Sequence, residues 1–208
     1  MAATTPKTPV PVGHRPPIFI GIDPGQTGAL AAIDGTLKVR FLAKAPDSAA
    51  GMADLVREVR RVGPIRLAVL ERTQAMPGNG VVAMHNYGRH AGAWEGVLAA
   101  LRVPVTQPYP KVWQVLVRAP GCRRGDTKKR SIASARRLFG VELKRSQDGM
   151  ADALHMALWA LHASTTGLSG KTASGSQEGS ENSLKAKGHV RRSAGRARRD
   201  QSRAMVRG

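Results

Sequence analysis

Four carboxylates lie in three well-separated segments of this 208-residue chain, each where an apolar run begins or ends. Asp23 closes Ile18-Phe19-Ile20-Gly21-Ile22 and is followed by Pro24-Gly25. Glu71 closes Leu67-Ala68-Val69-Leu70, and Asp148 and Asp152 open the run Ala153 to Leu158. Hard oxygen donors gathered from distant parts of a chain are what Mg²⁺ or Mn²⁺ coordination requires. Two such ions suit hydrolysis of a phosphodiester, one activating water and the other stabilising the leaving 3′-oxygen. Taken singly, Asp148 also suits a helix N-cap and Asp23 a turn. Glu71, directly after four apolar residues, has no comparable structural role. Together the four point to a metal site.

These acids need elements to aim them. Ile18 to Asp23 reads as a buried strand, followed by strands at Ala29 to Ile33 and Val39 to Ala43 with Asp34-Gly35 as a turn signal. Tight connections make these three an antiparallel meander. Met52, Leu55, Val56 and Val59 recur at helical spacing over 52–62, and Gly63-Pro64 ends that helix. Leu67 to Glu71 is a strand reached through a helix and so runs parallel to the first. A long helix over 81–101, a short strand over 104–107, and helices over 111–117, 128–139 and 148–162 complete the order. The class is α/β: a mixed five-stranded sheet flanked by helices. Gly88, Gly92 and Gly96, four apart, share one face of the long helix and offer a close-approach surface. Asp148 and Asp152 are also four apart, so one helical face carries both, with the helix dipole favouring negative charge there.

Charge names the kind of partner. Lys and Arg number 33 against 14 Asp and Glu, a net +19, which implies a polyanion and most often nucleic acid. Residues 164–208 hold 10 Lys and Arg against 3 Asp and Glu, or +7, so the remaining +12 belongs to residues 1–163. The expected layout is a Pro-rich disordered tail over 1–16, a nuclease domain over 17–163 and a disordered basic tail over 164–208. The single Cys122 excludes an internal disulfide and a Cys-rich zinc site. No apolar run is long enough to span a membrane, and the N-terminus lacks a signal-peptide core, so the expected location is cytoplasmic.

Ile20-Gly21-Ile22-Asp23-Pro24-Gly25 with Thr27-Gly28, Val69-Leu70-Glu71, and Asp148-Gly149-Met150-Ala151-Asp152-Ala153-Leu154 resemble the RuvC-type Holliday junction resolvases of the ribonuclease H-like superfamily. The stretch from Met76 through Tyr87-Gly88-Arg89 to Glu95-Gly96-Val97 is similar to the phage and bacterial RuvC-like sequences in particular, and the resemblance covers roughly residues 17 to 163. It implies a ribonuclease H-like fold and a homodimer that cuts two strands of a four-way DNA junction symmetrically, in recombination and repair. A nucleoid-associated or phage-encoded role follows from the same likeness. It implies that Asp23, Glu71, Asp148 and Asp152 hold two Mg²⁺ ions, with Mn²⁺ able to substitute. Lys128 and Lys129 fit the family's basic residues near the scissile phosphate, with Lys111 as a second candidate; a solvated helix face is the other reading of each. The chain departs in spacing its last two acids by four where the bacterial type commonly has three. It also lacks an aromatic after Glu71, leaving Met76 as an apolar wedge or a core residue.

The DNA-facing set expected from these patterns is Lys111, Arg118, Arg123, Arg124, Lys128, Lys129, Arg130, Arg89 and Met76. Phosphate neutralisation by such residues makes binding steeply salt-dependent. His90 is read as DNA-facing, His155 and His162 as ordinary helix residues, and Trp94, Trp113 and Trp159 as core. Two rivals stay open: a catalytically silent DNA-binding relative and an RNA-directed nuclease of the same superfamily. A nucleotide phosphotransferase built around Asp23-Pro24-Gly25-Gln26-Thr27-Gly28 would need a second lobe and a second glycine-rich loop, and neither is found.

Overall fold

The computed structural model describes residues 15–25, 27–72, 78, 80–117 and 127–167. Met76, Arg118, Cys122, Arg123, Arg124 and the basic tail lie outside the described residues. Strands β1 (Ile18–Asp23), β2 (Ala29–Asp34) and β3 (Val39–Lys44) pair antiparallel in sequence order. Helix α1 (Ala49–Val62) then carries the chain to β4 (Ile65–Leu70), which lies parallel to β1 on its other side. Helix α2 (Val81–Ala100) leads to a parallel edge strand β5 (Val105–Thr106). The sheet order is β3-β2-β1-β4-β5, with β1 at the centre. Helices α3 (Pro110–Trp113), α4 (Thr127–Phe139) and α5 (Asp148–Thr165) follow, α3 passing into a single 3₁₀ turn over Gln114–Leu116.

The meander, the parallel fourth strand and every helix expected from the sequence are present. Two elements are shorter than their patterns. The expected strand over 104–107 reduces to two residues. It sits between Pro104 and Pro108, and proline has no N–H to extend a ladder. The expected helix over 111–117 keeps one α-turn and tightens.

Each face of the sheet has its own core. Ile18, Ile20 and Ile22 of β1 with Ala68 and Leu70 of β4 pack against Met52, Val56 and Val59 of α1 and Trp94, Val97 and Leu98 of α2. Phe19, Leu67 and Val69 pack on the opposite face against Leu154, Met156, Ala157 and Trp159 of α5. This is the alternation of a strand buried on both sides, and it explains why β1 reads as a continuous apolar run. Ser48 starts α1 by accepting the Gly51 amide at 3.1 Å.

Gly21 sets the height of α5 above the sheet. A Cβ there would lie 2.0 Å from the Ala153 carbonyl oxygen and 2.4 Å from the Ala157 nitrogen, so only hydrogen fits. The helix backbone therefore rests directly on the central strand, nearer than a side chain at position 21 would permit. That contact is what brings the first turns of α5 to the end of β1.

Candidate metal centre

Strand alternation fixes the first two acids. Phe19 and Gly21 face α5, so Asp23 does as well. Leu67 and Val69 face the same way, and Glu71 is next in that series, one residue beyond β4. The Glu71 amide donates to the Ile22 carbonyl at 3.2 Å, so the parallel ladder continues through it. Asp23 and Glu71 thus end neighbouring strands on the same face and at the same edge.

Helix α5 supplies the other two acids. Its N-cap is Gln147, and Asp148 is its first helical residue, so Asp148 does not cap it. Gly149 is pressed against the β1 loop: a Cβ there would lie 2.8 Å from Asp23 Oδ2 and 2.5 Å from the Thr27 carbonyl oxygen. The Asp23 carboxylate therefore touches the backbone of the turn that carries Asp148, and Asp152 follows one turn later. The four acids are neighbours at this sheet edge, each close enough to influence the charge of another.

Their electrostatics agree. Burial pushes Glu71 up to about 7, and Asp23 and Asp152 push in the same direction, against the Tyr87 hydroxyl and the Trp113 indole. Burial also lifts Asp152 to about 6, with Asp23 and Asp148 adding to it and Ser131 and Lys128 opposing it. Asp23 is raised by burial, lowered by the Gly25 amide and raised again by Asp148. Burial is the main cause in each case, and the neighbouring carboxylates add to it.

Each acid meets a donor from the protein. Asp23 Oδ1 accepts the Gly25 amide at 2.9 Å, and Glu71 Oε2 accepts the Tyr87 hydroxyl at 3.1 Å. Asp152 Oδ1 accepts the Ser131 hydroxyl at 2.5 Å, and Asp148 Oδ2 pairs with Lys128 Nζ at 2.7 Å. The Lys128 ammonium is raised in pKa by that bond. The indole N–H of Trp113 is buried outside normal hydrogen-bond geometry, yet it lies near enough to Glu71 to lower its pKa. Among the described residues, no three His, Cys, Asp or Glu side chains close on one metal-sized point.

The donor set still fits a hard divalent ion. It is all oxygen, with no thiolate or imidazole at the centre, and it is short of compensating charge. Asp23, Glu71, Asp148 and Asp152, proposed from sequence, are brought together. Among the expected DNA-facing residues, Lys111, Lys128, Lys129 and Arg89 are exposed, while Arg130 is half-buried and one of its guanidinium nitrogens is enclosed. His90 does not face outward. It is buried, with Nδ1 2.8 Å from the Pro24 carbonyl oxygen. Tyr87 and Ser131 are site residues that the sequence pattern did not single out.

No protein-family model matches the sequence, and no curated protein matches it. Solved structures do. Thermus thermophilus RuvC in complex with a Holliday junction substrate superposes with a TM-score of 0.52 at 20% identity, covering 73% of this chain and 95% of that one. The chain has the RuvC fold. A second Thermus thermophilus RuvC structure gives a TM-score of 0.50 at 22% identity, over 73% of this chain and 96% of that one. The mixed five-stranded sheet with its flanking helices is thus the ribonuclease H-like arrangement of RuvC, spanning nearly the whole of that protein.

Proposed function

We propose that this protein is a structure-selective DNA endonuclease that resolves four-way junctions by paired, symmetric phosphodiester cuts, acting as a homodimer in the cytoplasm. The observation that carries the reading is the meeting of three acidic segments at one sheet edge, on the fold of RuvC. A RuvC of that fold has been solved on a Holliday junction substrate, which supports the choice of DNA. Asp23, Glu71, Asp148 and Asp152 would hold the Mg²⁺ ions. Bound there, divalent metal supplies an activated water and stabilises charge on the leaving oxygen.

The chain's own residues do the rest. Lys128 is held by Asp148 on one side and open to solvent on the other, with its side chain 68% exposed. Its ammonium is available to a phosphate oxygen of the scissile strand. Ser131, one helical turn later, holds Asp152 in orientation. Lys111, Lys129, Arg89 and Arg130, with Arg118, Arg123 and Arg124 from the intervening basic segment, supply phosphate contacts, and Met76 an apolar wedge. The nuclease domain spans residues 17–163, and the basic tail adds non-specific grip.

The test is cleavage of a labelled four-way junction beside a linear duplex and an RNA–DNA hybrid, with and without Mg²⁺. Paired cuts in the junction alone, and only with metal, are expected. Hybrid-selective cutting would identify an RNA-directed nuclease instead, and tight binding without any cutting a silent relative.

A further inference from the structure

Helix α2 presents two polar side chains three residues apart, one to Glu71 and one to the turn that follows Asp23. Tyr87 donates to Glu71 at 3.1 Å. His90 reaches the carbonyl of Pro24, the residue directly after Asp23, at 2.8 Å. A carbonyl oxygen only accepts, so the Nδ1 of His90 carries the proton in this contact. The imidazole also lies close enough to Asp23 to influence its charge.

The helix itself is well anchored for such a task. Ala91, Trp94, Val97 and Leu98 are buried in the core beneath the sheet, whereas Val81 and Val82 at the other end are 85% and 74% exposed. The buried half fixes the helix, and Tyr87 and His90 stand where it leaves the core and reaches the strand ends. Residues 87, 90 and 94 fall on one helical face, so the side chain that anchors the helix is aligned with the two that reach the acids.

We propose that Tyr87 and His90 are positioning residues, clamping Glu71 and the Asp23 loop so that both carboxylates are held for divalent metal. The inference rests on the metal-centre reading above. Tyr87 holds Oε2 of Glu71 and so fixes the orientation of that carboxylate. His90 fixes the Asp23-Pro24-Gly25 turn from a buried position. Hydrogen-bond partners of metal ligands typically change metal affinity or activity by roughly 10–100-fold when removed.

The experiment is Mn²⁺ binding to the full-length, DNA-free protein, read from the electron paramagnetic resonance signal of free Mn²⁺, for wild type, E71Q, Y87F, Y87H and H90L. Junction binding in EDTA and melting temperature are measured on the same samples. Y87F and H90L are expected to weaken Mn²⁺ binding by roughly 10-fold or more. Junction binding and melting should stay close to wild type for Y87F, and Y87H, which returns an N–H donor, should recover part of the loss. Combining Y87F with E71Q should cost little more than E71Q alone, because Tyr87 acts through Glu71. Wild-type Mn²⁺ affinity in Y87F, alongside weakened binding in E71Q, would overturn the clamp and leave the metal centre standing. Equal losses in Y87F and Y87H that track a fall in melting temperature would overturn it as well. Full Mn²⁺ binding by E71Q would instead refute the metal-centre reading itself.

Discussion

Asp34 and Asp23 sit at opposite ends of the same strand pair, Asp34 opposite Ile18 and Asp23 opposite Ala29. Both carboxylates are withdrawn from solvent, and their fates differ. Asp34 Oδ1 accepts the Thr36 amide at 2.9 Å, the Thr36 hydroxyl at 2.6 Å and the Lys38 amide at 3.2 Å, with Arg40 3.7 Å from Oδ2. Burial raises its pKa, but the Thr36 and Lys38 bonds and Arg40 outweigh burial, so the net shift is downward. Asp23 is raised by burial, the Gly25 amide and His90 do not offset it, and Asp148 adds to it, so its net shift is upward. The fold can satisfy a buried carboxylate completely when that carboxylate only has to hold a turn. At the other end of the same strands the described donors do not offset burial and the acidic neighbours, which is the charge balance that suits a cation.

The largest expected difference is in cutting. Asp23→Asn should lower junction cleavage by roughly 10³-fold or more, about 4 kcal/mol of transition-state stabilisation, while junction binding in EDTA persists. Asp34→Asn should leave cleavage per folded molecule unchanged. Comparable losses in both variants, measured by single-turnover kinetics, would break the distinction between the two ends.

The next effect is on stability against pH. Glu71 at about 7 and Asp152 at about 6 lie above their unfolded values, so the folded metal-free protein binds more protons than the unfolded chain between about pH 4 and 7. Stability from these groups is complete at the acid end of that window and is lost as pH rises through 6 and 7. The lowered Asp34 works in the opposite sense, its contribution present at neutral pH and lost only as pH falls through the carboxylate range. Metal-free protein should therefore melt several degrees higher at pH 5.5 than at pH 8, corresponding to a few kcal/mol. Mg²⁺ should remove the difference, and Glu71→Gln should flatten it most. A flat melting curve across that range in the metal-free wild type would contradict the crowding of the acids.

The smallest effect is on the turn. Asp34→Ala should cost about 1–3 kcal/mol in urea unfolding, because the Thr36 and Lys38 donors lose their acceptor. The same turn holds Leu37 at φ 65°, a left-handed backbone that side chains disfavour, and the Asp34 bonds hold it there. Asp34→Asn, which keeps an acceptor oxygen, should cost less than Asp34→Ala.

The acids and the strand order were legible because both rest on local signals. An apolar run ending in a carboxylate marks a strand edge, and Asp148 and Asp152 are visible as a helical pair. Tyr87 and Ser131 were not legible as partners of Glu71 and Asp152. Their aim depends on where α2 and α4 dock, which no local pattern encodes. A signal was nonetheless present in α2: Tyr87, His90 and Trp94 share one face with the buried residues, so His90 points inward and not toward DNA. Trp113 was expected in the core and is there, but its indole edge also bears on Glu71. The turn after β2 was read from Asp34-Gly35, whereas the left-handed residue is Leu37, with the Asp34 carboxylate taking the organising role expected of glycine.

Six residues of β1 separate the acids from the Asp34 turn, a span of roughly 17–20 Å. Gly35, at the tip of that turn, is exposed, and a side chain there would meet nothing within 4 Å. The molecule can therefore be gripped by one end while it works at the other. A fluorophore or surface linker attached at Gly35→Cys, with Cys122 replaced by Ser, would leave the acidic edge facing outward, so that single encounters with junction DNA could be watched on immobilised protein.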